Sequence, residues 1–177
     1  MQLFTLYPQI DYEFDAYKNT KRAIDITTSI KIKELVKQYR GILSTPYVVQ
    51  NGERPDQVSF KFYGSSDYDW LILLANDMYS IYDDWPRDSF SLEKYIIEKY
   101  GSVSTAYALF KYYNNYGDEI DLTTYTSLSP SQRKSESIYE YEQRKNFNKS
   151  KIKIVQPNLI PLIDSELKSN INFALRS

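Results

Sequence analysis

The sequence predicts an α+β fold in which a β-α-α-β core carries a large insertion, an extended N-terminal arm and a C-terminal helix. A β-prone run at 47–50 precedes two helix patterns, residues 151–155 alternate polar with apolar, and apolar residues recur every fourth position from Leu159 to Leu175. The predicted segments are an arm and helix (1–46), a strand and helix pair (47–76), an insertion (77–150) and a closing strand with the last helix (151–177), together one compact domain.

The first core helix is predicted to begin at Pro55, where the missing N–H of proline costs nothing. Asn51-Gly52 supplies the preceding turn, in which positive φ is tolerated, and Gly64 suits the left-handed residue beyond the helix. Val58 and Phe62 share one face of this helix. Ser65 or Ser66 then caps a second helix.

The second core helix contains the run WLILLA at residues 70–75, which is apolar on every face. A helix of this kind is covered from all sides in a folded protein. We therefore expect it to lie at the centre of the core.

The strand at 47–50 needs a partner, because an isolated strand leaves its N–H and C=O groups unpaired. No strand pattern follows Asn76 closely, so we expect residues 151–155 to pair with it in the antiparallel sense. This pairing makes 77–150 an insertion. The alternative is that each strand pairs elsewhere, for example with a hairpin.

The insertion itself contains three patterns. Ser91 is predicted to cap a helix that continues to Tyr100 and ends at Gly101. A turn at 114–117 between two aromatic, Thr-rich runs predicts a hairpin, although the first run also fits helical spacing. A third, exposed helix is expected over 130–147, with Glu140 and Arg144 as an i,i+4 pair.

The N-terminal arm is predicted from apolar residues whose period is irregular and broken by Pro8. A helix with one apolar stripe follows at 25–39. An arm this aromatic either lies on its own domain or contacts a neighbouring protein. The residues expected at such an interface are Phe4, Leu6, Tyr7, Ile10 and Tyr12.

Composition excludes several classes of function. The formal charge is −1, and the chain contains neither cysteine nor histidine. Disulfides, thiolate metal sites and the usual general base are therefore missing. No apolar run approaches membrane-spanning length. We predict no catalytic, cofactor-binding or metal-binding residue, and no nucleic-acid, membrane or small-molecule partner, for a protein made in a reducing cytoplasm.

Tyrosine is the compositional anomaly, at 18 residues of 177. Its large apolar ring and polar hydroxyl make it frequent at interface cores. Charge is also uneven, with a balance of −6 over 64–93 and +4 over 128–153. Two solvated faces explain such polarity most simply, but it could also align neighbouring subunits. We expect several tyrosines to contact other proteins.

The order of these elements resembles a LysM module, whose β-α-α-β unit begins with a Tyr-x-Val strand and a Gly turn. The matching residues are Tyr47, Val49, Gly52, Val58, Tyr63, Gly64 and Asn76. The resemblance implies a core formed by Tyr47, Val49, Val58, Phe62, Tyr63, Gly64, Trp70, Leu73 and Leu74. The turn reads GERP at 52–55, where LysM modules usually have Gly-Asp-Thr-Leu.

A narrower resemblance covers most of the chain. Arg54-Pro55, 62–64, 70–76, Trp85-Pro86 and 99–101 together resemble the small LysM-like baseplate wedge protein of contractile-tailed, T-even-like bacteriophages. This implies a structural virion protein of the tail baseplate, assembled in the host cytoplasm, rather than an enzyme. It also implies that the protein clamps wedge core proteins in the inner baseplate and joins adjacent wedges, in a six-fold ring, and the central hub.

The competing function is that of a LysM-type module binding the N-acetylglucosamine polymers of peptidoglycan. In both cases the resemblance implies one groove between the first turn and the end of the second helix. Its residues are Gly52, Glu53, Arg54, Pro55, Asn76, Asp77, Met78 and Tyr79. We expect this groove to hold a partner's peptide here, because the turn at 52–55 departs from the sugar-binding pattern.

Overall fold

The structure, a computed structural model, describes residues 9–13, 20–24 and 44–174. Helices and strands are mixed along this part of the chain, which confirms the predicted α+β class. The elements are β1 (Gln9–Glu13), β2 (Thr20–Ile24), β3 (Ser44–Val48), α1 (Pro55–Tyr63), α2 (Asp69–Ala75), α3 (Ser89–Tyr100), α4 (Val103–Ala106), β4 (Leu109–Asn114), β5 (Glu119–Ile120), α5 (Leu122–Ser127), β6 (Arg133–Ser137), α6 (Ile138–Ser150), β7 (Lys151–Val155) and α7 (Ile160–Ala174), with short 3₁₀ helices at Ser66–Tyr68, Pro130–Gln132 and Pro157–Leu159.

The chain divides into two compact units. The first comprises residues 1–48, 53–79 and 152–177, and the second comprises 49–52 and 80–151. Among the described residues, the strands form the sheets β1-β2, β3-β7 and β5-β4-β6.

The predicted pairing of two distant segments is confirmed, because β3 and β7 are hydrogen-bonded neighbours in one sheet. β3 begins at Ser44, earlier than the predicted 47–50, and includes Pro46. Proline is tolerated there because each strand of a two-stranded sheet has one edge without ladder hydrogen bonds. In β7 the apolar residues are buried and the lysines are exposed, as the alternation predicted.

Helix α1 also begins and ends as predicted. Pro55 is its first residue, the side chain of Gln57 accepts a hydrogen bond from the Arg54 N–H (2.9 Å), and Gly64 follows the helix at φ 70°. Ser65 caps the short 3₁₀ helix that precedes α2, accepting a hydrogen bond from the Asp67 N–H at 3.2 Å.

The core of the first unit forms around α2. Trp70, Leu71 and Ala75 pack with Val155 of β7, Leu159 of the 3₁₀ helix Pro157–Leu159 and Ile163 of α7. Leu74 is only partly buried and packs at the edge of this cluster. Helix α2 therefore supplies three of the buried residues of this cluster, but Leu73 and Leu74 are only half-buried, so the helix is not covered on every side as predicted.

The N-terminal arm, predicted to be extended, contains a pair of strands. β1 and β2 pair antiparallel, with Asp11 opposite Arg22. The side chains of Ile10 and Tyr12 lie outside the described part of the structure, as do Phe4, Leu6, Tyr7 and the helix predicted at 25–39. The interface arm therefore stays a prediction.

In the second unit, α3 ends at the predicted Gly101, whose φ is 99°, but its cap is not the predicted Ser91. Asp88 is the cap, and its carboxylate accepts hydrogen bonds from the N–H groups of Phe90 and Ser91, each at 3.0 Å. A carboxylate at this position also complements the helix dipole, so Asp88 outcompetes the later serine. Leu92 and Ile96 pack against Ala106 and Ile138 to form a core cluster of this unit.

The predicted hairpin is confirmed, because β4 pairs antiparallel with β5 through a turn that contains Gly117 at φ 91°. The helix predicted over 130–147 is wrong in its first half. Residues 133–137 form β6, which pairs antiparallel with β4, and α6 begins only at Ile138. Local propensity over this polar segment is weak, so the free edge of β4 decides its conformation.

The predicted Glu140–Arg144 pair is also replaced. The Glu140 carboxylate accepts hydrogen bonds from the N–H and hydroxyl of Ser137, forming a capping box at the start of α6. Arg144 instead pairs with Glu136 of β6 through two hydrogen bonds of 2.7 and 2.8 Å. A bidentate Arg–carboxylate pair is stronger than an exposed i,i+4 ion pair on one helix.

Candidate assembly surface

The first part of the predicted groove begins with Glu53, whose carboxylate is held by two side chains. It accepts a hydrogen bond of 2.7 Å from the Tyr47 hydroxyl, and Lys61 lies 3.6 Å away. The Lys61 ammonium also donates to the Tyr47 hydroxyl at 2.8 Å, a bond that raises the pKa of Lys61. The negative charge of Glu53 is therefore compensated by Lys61 within the first unit.

Arg54 and Pro55 differ sharply in exposure. Pro55 is buried, whereas the Arg54 side chain is 71% exposed and its nearest acid, Asp56, lies 2.7 Å away. Asp56 accepts two hydrogen bonds from the guanidinium, of 3.0 and 2.7 Å. Because this bidentate pair is exposed to solvent, an external acidic group can reach the guanidinium and compete with Asp56 for it. Arg54 is the predicted groove residue best suited to bind an external acidic group.

The second part of the predicted groove follows α2. The amide of Asn76 accepts a hydrogen bond from the Lys153 N–H and donates to the Lys153 carbonyl, both at 2.8 Å. Met78 is buried. Tyr79 is 67% exposed, and Asp77 is exposed at a φ of 55°. Asn76 and Met78 therefore have structural roles, while Tyr79 and Asp77 are accessible.

Gly52 stands apart from the other predicted groove residues because it belongs to the second unit. Its φ of 77° confirms the predicted turn. The structure describes each of these stretches separately, and the groove that combines them stays a prediction.

The residues of the predicted LysM-like core differ in how deeply they are buried. Val58 and Trp70 are buried in the first unit, and Val49 is buried in the second. Tyr47 packs edge-on against Phe62 at a centroid distance of 5.0 Å. The remaining members are half-buried, except for the exposed Gly64: they are Tyr63, Leu73 and Leu74. Burial raises the pKa of the Tyr63 phenol.

Exposed apolar side chains concentrate in the second unit. Ten of the large apolar residues that the structure describes as exposed lie there: Ile81, Tyr82, Phe90, Val103, Tyr107, Leu109, Phe110, Tyr116, Leu122 and Phe147. The tyrosine content predicts tyrosines at contacts with other proteins, but no pattern in the sequence identifies these positions. Phe90 and Ile97 lie on the side of α3 opposite Leu92 and Ile96, and this second apolar stripe could have identified Phe90 as exposed.

One of these exposed groups is held in a fixed turn. Ser80 accepts a hydrogen bond from the Asp84 N–H at 2.8 Å, and the Asp84 carboxylate accepts one from the Ser80 N–H at 3.0 Å. Ile81 and Tyr82 lie between them, 47% and 85% exposed. These bonds fix the backbone of the turn, which lowers the entropy lost when Tyr82 contacts another protein.

The charged groups of the second unit are largely paired with each other. Glu142 is 4% exposed and accepts hydrogen bonds of 2.8 Å from both Lys99 and the Tyr100 hydroxyl. Burial alone raises the pKa of Glu142, but these hydrogen bonds outweigh it and leave the pKa below its ordinary value. This network therefore connects α3 to α6 within the second unit.

Among the described residues, there is no group of three or more Asp or Glu side chains that could hold a metal ion. Within the same ranges, no helix combines the length and apolarity needed to span a bilayer.

Comparison with known proteins identifies the class. Residues 2–126 match the family model described as base plate wedge protein 53 of phages. The match covers more than half of the chain, so the protein belongs to this family of structural components of the phage tail baseplate.

A curated relative gives the more particular likeness. The chain is 25% identical over 103 residues to baseplate wedge protein gp53 of Enterobacteria phage T4, which is 57% of this chain and 53% of the relative. The chain therefore spans about half the length of the curated relative it matches.

Proposed function

We propose that this protein is a structural subunit of the inner baseplate wedge in a contractile phage tail. It clamps the core proteins of the wedge and joins adjacent wedges to each other and to the central hub. It is assembled in the host cytoplasm and ends up in the tail baseplate of the virion. The observation that carries the proposal is the family match over residues 2–126. The protein acts through contacts and not through catalysis.

The exposed apolar residues of the second unit support this role. Ten large apolar side chains lie exposed in a stretch of fewer than eighty residues. Burying them against other subunits contributes about 25 cal/mol per Å² before ordering costs are subtracted. An isolated protein gains nothing from keeping them exposed.

We further propose that the first unit contains a LysM-like core into which residues 77–150 are inserted. The pairing of β3 with β7, on either side of α1 and α2 in the chain, supports the proposal. The compact unit that contains 80–151 supports it as well. The groove bordered by Arg54 and Tyr79 then receives a peptide of a wedge partner.

The groove is tested by reversing charge at Arg54. We expect Arg54→Glu to reduce incorporation of the protein into wedges, measured by co-purification with wedge proteins from infected cells. Lys168→Glu on α7 is the matched control, because Lys168 is also exposed but lies outside the predicted groove. Undiminished incorporation of the Arg54→Glu protein would contradict the peptide groove.

The alternative function, peptidoglycan binding, is distinguished by sedimentation with insoluble cell wall. A wedge subunit stays in the supernatant, whereas a LysM-type glycan module sediments. Binding that Tyr79→Ala abolishes would support the glycan function, because an exposed aromatic ring at the groove can stack on a sugar.

A further inference from the structure

The outer face of α3 carries an apolar surface that the second unit does not use in its core. Phe90 and Ile97 line a concavity of about 450 Å³ together with Glu93, Lys94 and Glu98. The inner face of the same helix supplies Leu92 and Ile96 to the core. Helix α3 is therefore apolar on two faces, and only one of them is covered within the unit.

This surface continues beyond α3. A second, small cavity shares Glu93 and Ile97 with the first and adds Val103 and Tyr107. Phe90, Val103 and Tyr107 are 76%, 53% and 63% exposed. A continuous exposed apolar surface of this kind marks an interaction site.

The charges beside the apolar line show which partner fits. Successive residues of a helix are rotated by roughly 100°, so Phe90 and Ile97 fall on one line and Lys94 and Glu98 lie together on one side of it. Lys94 and Glu98 are 3.7 Å apart, and both side chains are about two-thirds exposed (67% and 65%). This intrahelical pair is weak and can exchange partners.

We propose that the free protein forms a two-fold dimer through antiparallel packing of α3 against α3 of a second copy. With the two-fold axis near Ile97, the two isoleucines meet at the centre and each Lys94 faces Glu98 of the other copy. Each Phe90 then reaches Val103 of the second copy. The contact is self-complementary in both apolar area and charge, as a two-fold interface requires.

The formation of the dimer does not depend on the proposed wedge function, but its assignment to the unassembled protein rests on that function. In a baseplate ring, all copies point the same way and are related by rotation about one axis. Neighbouring copies in such a ring cannot make a two-fold contact with each other. The dimer therefore belongs to the unassembled protein, and it covers the α3 surface until assembly.

Sedimentation equilibrium of the full chain over a wide concentration range tests the proposal. We expect a reversible dimer whose dissociation constant rises about thirtyfold or more in Ile97→Asp, because a charge is placed at the centre of the interface. Tyr116→Ser, an equally drastic change at an 86% exposed residue of the β4–β5 turn, leaves the dimer unchanged. Phe90→Ser provides a second variant at an exposed position, where folding is not at risk.

Two charge variants separate the contact between copies from the ion pair within one helix. Lys94→Glu and Glu98→Lys each break both, and each alone weakens dimerisation. Mixed together, they restore the contacts between copies, while the pair within each helix stays broken. We expect the mixture to form heterodimers near the wild-type affinity. A monomeric wild-type protein, or a mixture no stronger than either variant alone, would overturn the proposal.

Discussion

The two units of this protein treat their surfaces differently. The first leaves four of its described large apolar residues exposed, Val48, Phe60, Tyr79 and Leu162, whereas the second, of similar described length, leaves ten. In the first unit, the Asn76 amide occupies the backbone groups of Lys153 and so closes part of the β7 edge.

The difference in exposed apolar residues bears on where contacts with other proteins form. Unpaired strand edges invite association with other chains, and a side-chain amide on one edge blocks it. Exposed aromatic residues promote association in turn. Among the described residues, the second unit therefore exposes more large apolar side chains than the first, and we place most of the proposed assembly contacts there. Four substitutions test this contrast.

The largest effect is expected from Trp70→Ala in the first unit. Trp70 is 8% exposed and packs in the α2 core, so truncation should cost about 3–5 kcal/mol of unfolding free energy in urea titration. Tyr82→Ala in the second unit is the matched control, because its ring is 85% exposed and its loss should cost no more than about 0.5 kcal/mol. Similar costs at both sites would contradict the contrast.

A smaller effect is expected from Glu142→Gln, which tests whether the second unit depends on a buried carboxylate. The change weakens the contacts with Lys99 and Tyr100 and should cost about 1–3 kcal/mol near neutral pH, toward the lower end because the Lys99 side chain is 40% exposed. Glu119→Gln is the control outside the α3 surface: it weakens only an ion pair with Lys111 in which the Glu119 side chain is 56% exposed, and about 0.5 kcal/mol or less is expected.

The pH dependence of this prediction follows from the lowered pKa of Glu142. A carboxyl with a lowered folded-state pKa stabilises the protein above its unfolded pKa, about 4.3 for glutamate, and the stabilisation is lost as pH falls through the folded pKa. The difference between wild type and Glu142→Gln should therefore shrink below about pH 4. A difference that stays constant down to acid unfolding would count against the assignment.

Asn76→Ala tests the closure of the β7 edge. The substitution removes hydrogen bonds to the backbone of Lys153 and to the Ile72 carbonyl, and should cost about 1–2 kcal/mol. The Lys153 amide should also exchange faster with solvent, as measured by hydrogen exchange. Asn148→Ala removes only an exposed contact with Lys151 and should leave that exchange rate unchanged.

The smallest effect is expected at the cap of α3. Asp88→Ala should cost about 1 kcal/mol because the N–H groups of Phe90 and Ser91 lose their acceptor. Ser91→Ala removes only a hydroxyl that donates to Asp88 at 2.6 Å, so a smaller cost is expected. If Ser91→Ala proved the more damaging, the original sequence-based cap would be correct after all.

Much of the fold could be predicted because the deciding interactions are local. Pro55, Gly64 and Gly101 mark helix limits through their own backbone preferences, and α2 is recognisable because it is apolar all round. The errors fall where local preferences are weak. Residues 133–137 are all polar and carry no apolar period, and at α3 the carboxylate of Asp88 takes the capping position in place of the predicted Ser91.

The candidate site was less predictable for a related reason. Arg54 and Tyr79 were named from a resemblance, and the structure shows them exposed. Asn76 was named with them, yet its amide is used by β7. Sequence gives the chemistry of an amide but not the distant strand that it meets.

The sequence by itself determined the α+β class, the baseplate wedge family, both limits of α1 and the end of α3, because short-range preferences and residue patterns are carried by neighbouring positions. Only the tertiary structure decided that β6 is a strand, that Glu142 is held by Lys99 and Tyr100, and that α3 presents Phe90 and Ile97 outward. These outcomes depend on which distant groups compete for the same hydrogen bonds and the same apolar cover.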